Sequence, residues 1–211
     1  MKKLTLLIAT AAVMASCNEP ATKAELLGTD TPATKTVDLY IDVHNLEPGK
    51  VTFEAVMDAH QKDLSVQGKY GVQFQKFWID EEKGKVYCLS SAADAESIRK
   101  THKDAHGLVP ETVYRVTEGA EDAALGNTQY YLDVHQLGAG NVTAAAVADA
   151  HKKDLAVQAK HGVHFVNYWV DEKEGVVVCL SQAADSTKVI NTHREAHGLI
   201  PAYTLKVKQG E

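Results

Sequence analysis

Two histidines stand four residues apart in the segment THKDAHGLVP, residues 101–110, and again in THREAHGLIP, residues 192–201. Residues at this spacing lie on one face of a helix. His102 and His106 therefore offer two imidazole nitrogens to a single ion, a pairing typical of transition-metal sites. Metal binding is thus the first chemistry that the sequence suggests.

Further donors accompany this pair. His60 and Asp63 stand three residues apart in a helical pattern, so they share a face. His44 ends a strand-like run that also carries Asp42, and we expect that strand end to lie near His106. The predicted metal ligands are His44, His60, Asp63, His102, His106, His135, His151, Asp154, His193 and His197. Asp42 and Asp133 are alternative ligands, or carboxylates that orient the imidazoles.

Imidazoles with carboxylates suit nickel, copper or zinc better than calcium or magnesium, and the residues alone leave those three metals open. Each histidine taken singly also has a local explanation, such as a charge at the negative end of a helix dipole for His106. The whole set favours ligation. His161 and His164 have no histidine counterparts in the first half, so we interpret them as surface variation.

The chain is a tandem duplication. YIDVHNL at Tyr40 aligns with YLDVHQL at Tyr131, and the same offset of 91 residues relates the two halves without a gap. Each predicted ligand of the first half thereby acquires its counterpart in the second. We assign repeat 1 to residues 37–116, a Gly/Ala/acidic linker to 117–127 and repeat 2 to 128–208.

Each repeat contains the pattern β-α-β-β-α-β. LYIDVH alternates apolar and polar residues as a strand does. Thr52 and Asp94 are suited to cap two helices that end before Gly71 and Gly107. GVQFQKFWID, KVYCLS and ETVYRV supply the remaining strands. The predicted fold class is α+β, with two ferredoxin-like repeats packed as a pseudo-dimer.

In such a unit the helices cover one face of the sheet and leave the other open. We expect the open faces to carry Asp42 and His44, with Asp133 and His135, and to stack against each other. Cys88 and Cys179 lie inside apolar strands, where burial is favoured over a disulfide between them. The aromatic residues Tyr40, Phe74 and Trp78, with their counterparts, are predicted to be ordinary core residues.

The N-terminus has the pattern of an export signal. Lys2 and Lys3 precede an apolar run that is too short to span a bilayer, and the sequence MASC that follows is similar to a lipobox. We assign residues 1–16 to a lipoprotein signal peptide, Cys17 to lipidation and residues 17–36 to a tether. Removal of the signal changes the net charge from −6 to −8, which argues against nucleic acid as a partner.

The motifs YLDVH, AHxKDLxVQxKxGVxF, YWVDEKEG followed by VCL, and AHGL together resemble the small nickel-responsive, ferredoxin-like domains of bacteria. The resemblance covers nearly all of each repeat. Members of that family are typically homodimers, and the characterised type binds nickel. The resemblance thus implies a nickel-binding pseudo-dimer, while the duplication and the export signal depart from the usual pattern.

These observations lead to one main hypothesis and two alternatives. The main hypothesis is an exported lipoprotein at the periplasmic side of the inner or outer membrane, which sequesters or buffers nickel or a similar ion. Common catalytic motifs are absent from the sequence, and we assign no catalytic residue. The first alternative is a small-molecule or haem-binding barrel, with an enzymatic role open, in which His44, Asp42 and Trp78 line a cavity between the sheets. The second is an interaction module without metal or substrate.

Overall fold

The structure is a computed structural model that describes residues 36–119, 121–126 and 128–211. Repeat 1 contains β1 (Asp38–Asn45), α1 (Phe53–Tyr70), β2 (Gln73–Asp80), β3 (Lys85–Ala92), α2 (Ala95–Ala105) and β4 (Thr112–Glu118). Repeat 2 contains β5 (Tyr130–Gln136), α3 (Ala144–His161), β6 (His164–Asp171), β7 (Val176–Gln182), α4 (Ser186–Ala196) and β8 (Tyr203–Gly210). The predicted β-α-β-β-α-β order is confirmed in both repeats.

The predicted helix caps are present. The side chain of Thr52 accepts a hydrogen bond from Ala55 N at 3.3 Å, and that of Asp94 accepts one from Ser97 N at 2.8 Å. These bonds satisfy amide groups that have no partner within the first helical turn. The C-terminus of α2 differs slightly from the prediction, because the helix ends at Ala105 and His106 is already its C-cap.

Eight antiparallel strands close into a single barrel in the order β1-β3-β2-β8-β5-β7-β6-β4. Within each repeat the last strand lies beside the first. The repeats join at two seams, where Phe77 on β2 pairs with Gly210 on β8, and Thr117 on β4 pairs with Val170 on β6. Each edge strand thus acquires a partner from the other repeat, and this accounts for the pairing of the repeats.

The open faces of the two sheets face each other across the barrel interior, but the expectation that they carry Asp42 and His44, with Asp133 and His135, is wrong. The repeats join edge to edge, and Asp42 and His44 lie on the helix-covered side of the sheet, where they meet His102 of α2. The alternating partners Ile41 and Val43 point into the barrel instead. Both faces of β1 are buried, so alternation separated the two sets of residues without showing which set faces the helices.

Side chains fill the barrel interior. Trp78 and Trp169 are buried there with ring centroids 5.1 Å apart, beside Ile41, Leu132 and Leu205. Tyr40 and Phe74 belong to the separate core under the helices, so the aromatic residues divide between two cores. The alternative site between the sheets cannot contain the three residues predicted for it. Trp78 lies inside the barrel, while Asp42 and His44 lie on the opposite face of the sheet.

The seams between the repeats are tight at two equivalent glycines. A Cβ atom at Gly210 would stand 2.3 Å from the Phe77 ring, and one at Gly119 would stand 2.0 Å from the Tyr168 ring. Real Cβ atoms do not approach other atoms so closely, so these positions exclude larger residues. The absence of a side chain at Gly119 and Gly210 lets the two repeats close into one barrel.

β4 extends to Glu118, two residues into the predicted linker, and β8 extends to Gly210. The signal peptide, Cys17 and all of the tether except Thr36 lie outside the described residues. Among the helices of the described part of the chain, none has the length and apolar character needed to cross a bilayer.

Candidate metal centres

Four potential ligands converge under the helices of repeat 1. We call Asp42, His44, Cys88 and His102 the inner group; one donor atom from each lies within 4.8 Å of the others, and all four residues are buried. Asp42 and His44 come from β1, Cys88 from β3 and His102 from α2. Asp42 pairs with Cys88 across the ladder, and this register brings the carboxylate and the thiol together.

A second group adjoins the first. Asp63 of α1, His102 and His106 form what we call the outer group. His102 Nδ1 lies 3.0 Å from Asp63 Oδ1, and His106 Nε2 lies 3.2 Å from Asp63 Oδ2. The opposite nitrogen of His102, Nε2, lies 3.3 Å from Asp42 Oδ1. His102 therefore belongs to both groups and presents a different nitrogen to each.

The hydrogen bonds of the outer group assign its protons. Leu108 N donates to His106 Nδ1 at 3.2 Å, so Nε2 of that ring carries the proton and donates to Asp63. Asp63 also accepts from His102 Nδ1. When His102 is neutral, its lone pair is consequently on Nε2 and faces the inner group. A carboxylate that orients a histidine in this way is a common support for metal ligands.

The inner group, by contrast, contains buried polar atoms that are not hydrogen-bonded to one another. Asp42 Oδ1, Asp42 Oδ2 and His102 Nε2 are buried atoms without a hydrogen-bond partner among the described residues. His44 Nε2 and His102 Nε2 lie 3.2 and 3.3 Å from Asp42 Oδ1, but they meet it without hydrogen-bond geometry. Buried polar atoms are almost always satisfied, so this cluster needs a positive charge beside the carboxylate, from a protonated imidazole or from a bound cation.

The charges in repeat 1 agree with this. Burial by itself would raise the pKa of Asp42, but the contacts with His102 and His44 hold it below its ordinary value. Burial would likewise lower the pKa of His102, yet the carboxylates of Asp42 and Asp63 raise it to about 9. At neutral pH His102 is therefore an imidazolium between two carboxylates, and it occupies the position where a cation is needed.

Repeat 2 reproduces this arrangement. Its inner group is Asp133, His135, Cys179 and His193, and its outer group is Asp154, His193 and His197. His193 Nδ1 lies 3.0 Å from Asp154 Oδ1, and its Nε2 lies 3.2 Å from Asp133 Oδ1. Within the described part of the chain, both oxygens of Asp133 and Nε2 of His193 again lack a hydrogen-bond partner. Burial opposes the charge on His193, but Asp133 and Asp154 raise its pKa to about 10.

The comparisons with known proteins bear on these sites. The sequence profile of the SCO4226-like nickel-responsive proteins matches residues 40–116 and again residues 131–207, which is most of the chain. The chain belongs to the SCO4226-like family of nickel-responsive proteins. The two matched segments have the same 91-residue offset as the internal alignment, so the family comparison confirms both the resemblance and the duplication.

Two solved structures illustrate the similarity. SCO4226 from Streptomyces coelicolor A3(2) is 33% identical, covers 39% of this chain and 99% of its own, and gives a TM-score of 0.37. A variant of chlorite dismutase from Candidatus Nitrospira defluvii is 6% identical, covers 83% of this chain and 91% of its own, and gives a TM-score of 0.49. A search of curated proteins gives no match.

In this member of the family, two predicted ligands stand apart from the groups. His60 and His151 are buried on the first helix of each repeat, and both pKa values are lowered, primarily by burial. Neither nitrogen of His60 has a hydrogen-bond partner in the portion of the chain that the structure describes, and its ring lies against Phe74 and Phe77. His60 lines a cavity with His44, His102 and His106. It therefore forms part of the wall beside the groups.

Cys88 and Cys179 are potential ligands that were not among the predicted ones. Cys88 and Cys179 are buried and unpaired, as the preference for burial required, but each also contributes its sulfur to an inner group. Burial and then the charges of Asp42 and Asp63 raise the pKa of the Cys88 thiol well above its ordinary value. The alternation within β3 could have placed Cys88 on one face of the sheet, but the partner residues on β1 and α2 depend on the tertiary fold.

His161 and His164, which we interpreted as surface variation, each have a local partner. His161 lies 2.8 Å from Glu195, and His164 Nε2 lies 2.8 Å from the Ala123 carbonyl oxygen. Neither residue belongs to a metal-ligating group among the described residues. Their local partners account for them.

Proposed function

We propose that this chain binds a divalent transition metal ion in the inner group of each repeat and thereby sequesters or buffers the metal. The observation that carries the proposal is a set of buried polar atoms that have no hydrogen-bond partner among the described residues. They are both oxygens of Asp42 and Nε2 of His102, repeated at Asp133 and His193. Their recurrence in two diverged repeats argues against an accident of side-chain placement.

The donor set fits a borderline metal. Carboxylate oxygen, imidazole nitrogen and thiolate sulfur together suit nickel, zinc or copper, and we place nickel first because the chain belongs to a nickel-responsive family. Asp42, His44, Cys88 and His102 would hold the ion in repeat 1. The metal would replace the positive charge that protonated His102 supplies beside the buried carboxylate, and binding would displace a proton from His102 and one from Cys88.

The outer group positions the ligands in this proposal. Asp63 holds the Nδ1 proton of His102, which leaves Nε2 for the metal, and His106 donates a second hydrogen bond to Asp63. Asp63 and His106, which the spacing made ligands, would thus support His102 instead, and Asp42, the alternative ligand, would hold the metal. His60 lines the cavity that leads to Cys88 and His102, so it stands on the route by which an ion enters.

Calorimetric titration with nickel tests the assignment. Replacement of the two buried carboxylates, Asp42→Asn with Asp133→Asn, should lower nickel affinity by more than about a hundredfold. The matched control is Asp58→Asn with Asp149→Asn, which changes two exposed aspartates at equivalent places on α1 and α3. Circular dichroism verifies that each variant folds.

Two results would contradict the proposal. Wild-type protein that binds none of nickel, zinc and copper removes the metal function altogether. Nickel affinity that survives loss of Asp42 and Asp133 but falls with His106→Gln and His197→Gln would move the metal to the outer group.

We further propose that the chain is exported and anchored through a lipid on Cys17, so that it meets metal on the periplasmic side of the inner or outer membrane. The support is the basic, apolar and small-residue pattern of residues 1–16. Mass spectrometry of the mature N-terminal peptide should find an acylated Cys17, and Cys17→Ser should release the protein into the soluble fraction. An unmodified cysteine with an intact leader would reject this localisation.

A further inference from the structure

Although the two repeats have the same metal-ligating groups, the spaces beside those groups differ in size. The cavity in repeat 1 has a volume of about 40 Å³, and that in repeat 2 has a volume of about 150 Å³. Each is bordered by the equivalent histidines, aspartate and cysteine. The duplication has therefore preserved the donors and changed their surroundings.

The larger cavity reaches further along the first helix of its repeat. Val142 and Ala146 line it, whereas their counterparts Val51 and Ala55 do not border the smaller cavity. Repeat 2 also has smaller residues nearby: Ala144 and Ala148 stand where repeat 1 has Phe53 and Met57.

In repeat 1 those larger residues pack against the core. Phe53 stacks near Phe77 with ring centroids 5.5 Å apart, and Met57 packs against the same core. In repeat 2, Tyr168 stands in place of Phe77, and its ring centroid lies 4.7 Å from that of His151. The first helix of repeat 2 thus carries two fewer bulky side chains than that of repeat 1, and the cavity beside it is the larger of the two.

The walls of the larger cavity are mainly apolar. Leu137, Val142, Val147, Val177 and Leu199 surround it, and His193 and His197 border it on the side of the metal-ligating groups. A cavity of about 150 Å³ with such walls admits a single six-membered ring. A charged molecule would lose its hydration against these walls, so they favour a neutral one.

We propose that the second repeat binds a compact, neutral heteroaromatic molecule whose ring fills this cavity and whose single nitrogen donor faces the metal-ligating groups. The first repeat excludes such a molecule for lack of space. The two sites then differ in function: the first holds its metal within protein ligands alone, and the second accepts an exogenous ligand beside its metal. The role of the donor rests on the proposed metal function, whereas occupancy of the cavity does not.

The test uses pyridine as the probe and benzene as a ring of similar size without a donor. Methyl NMR of the purified protein without added metal should show saturable shifts at Val147 and Leu199 with pyridine, and none at their counterparts Val56 and Leu108. Ala146→Leu narrows the larger cavity and should weaken pyridine binding by about tenfold or more. The matched control Ala55→Leu should leave it within about twofold, because Ala55 lines neither the cavity of repeat 1 nor that of repeat 2.

A second measurement addresses the donor. In nickel-loaded protein, pyridine should change the visible absorption of the metal and bind more tightly than benzene. The inference is overturned if pyridine binds equally in both repeats or fails to bind. It is also overturned if Ala146→Leu leaves the affinity for pyridine unchanged. An unchanged nickel spectrum with pyridine bound overturns the assignment of the donor. Failure of nickel itself to bind refutes the proposed function, and the NMR titration still decides the cavity.

Discussion

The stability of the protein without metal should fall as the solution becomes alkaline. His102 and His193 are buried imidazolium groups between pairs of carboxylates, and their pKa values are raised from 6.5 to about 9 and about 10. A raised folded-state pKa means that the folded protein holds the proton more tightly than the unfolded chain. The resulting stabilisation is complete below pH 6.5 and is lost as the pH rises through the folded-state values.

The magnitude follows from the difference between the two states. A rise in pKa from 6.5 to about 9 corresponds to about 3 kcal/mol, because each pH unit represents about 1.4 kcal/mol. The lowered pKa values of Asp42 and Asp63 express the same contacts from the carboxylate side and are not added. We therefore expect a loss of about 3 kcal/mol from repeat 1 and about 4 kcal/mol from repeat 2 between pH 6 and pH 10, most of it above pH 7.

Urea denaturation of metal-free protein at half-unit steps from pH 6 to 9.5 measures this loss. The double variant His102→Gln with His193→Gln should flatten the profile, whereas His161→Gln, at a histidine that lies 2.8 Å from Glu195, should leave the slope unchanged. Saturating nickel should remove the alkaline loss, since the metal replaces the proton between the carboxylates. A free energy of unfolding that is constant or rises between pH 7 and 9.5 in metal-free protein would refute the reasoning.

Three further predictions concern closure, ligation and capping. Gly210→Ala should lower the free energy of unfolding by about 1–3 kcal/mol, because its new methyl group collides with Phe77. The control Gly68→Ala, which has open space around it, should leave the free energy of unfolding unchanged or raise it. Equal denaturation midpoints for the two variants would contradict the tight seam. Cys88→Ser with Cys179→Ser should abolish the sulfur-to-nickel charge-transfer absorption of loaded protein, and a persisting band would exclude the thiolates as ligands. Asp185→Ala should cost about 1 kcal/mol through loss of the cap on α4, measured by thermal unfolding, and an unchanged melting temperature would show that the cap contributes nothing.

Local patterns predicted much of this protein correctly. The duplication, the order of strands and helices, and the caps at Thr52 and Asp94 depend on periodicity and on contacts within a few residues, which a sequence displays directly. The approach of His102 and His106 also follows from helical spacing, and the structure places their nitrogens 3.2 Å apart. These predictions needed no information about packing between distant segments.

The side of the sheet that faces the helices could not be predicted in the same way. Ile41 and Asp42 alternate along β1, and both are fully buried, so polarity does not distinguish the barrel interior from the helix-covered face. The barrel also closes through the edge strands, where the absence of a side chain at Gly119 and Gly210 decides the fit. Neither glycine belongs to a motif that would single it out.

The chain by itself determined that this is a duplicated protein with recurring imidazole and carboxylate donors, because residue type and spacing are written along the sequence. Only the tertiary structure decided which donors meet. Asp42, Cys88 and His102 are distant in the chain and converge through strand register and helix packing. This packing buries the Asp42 carboxylate without a hydrogen-bond partner among the described residues and places Asp63 on the far side of His102. The cost of burying that carboxylate, and hence the case for a metal, arises only when the chain has folded.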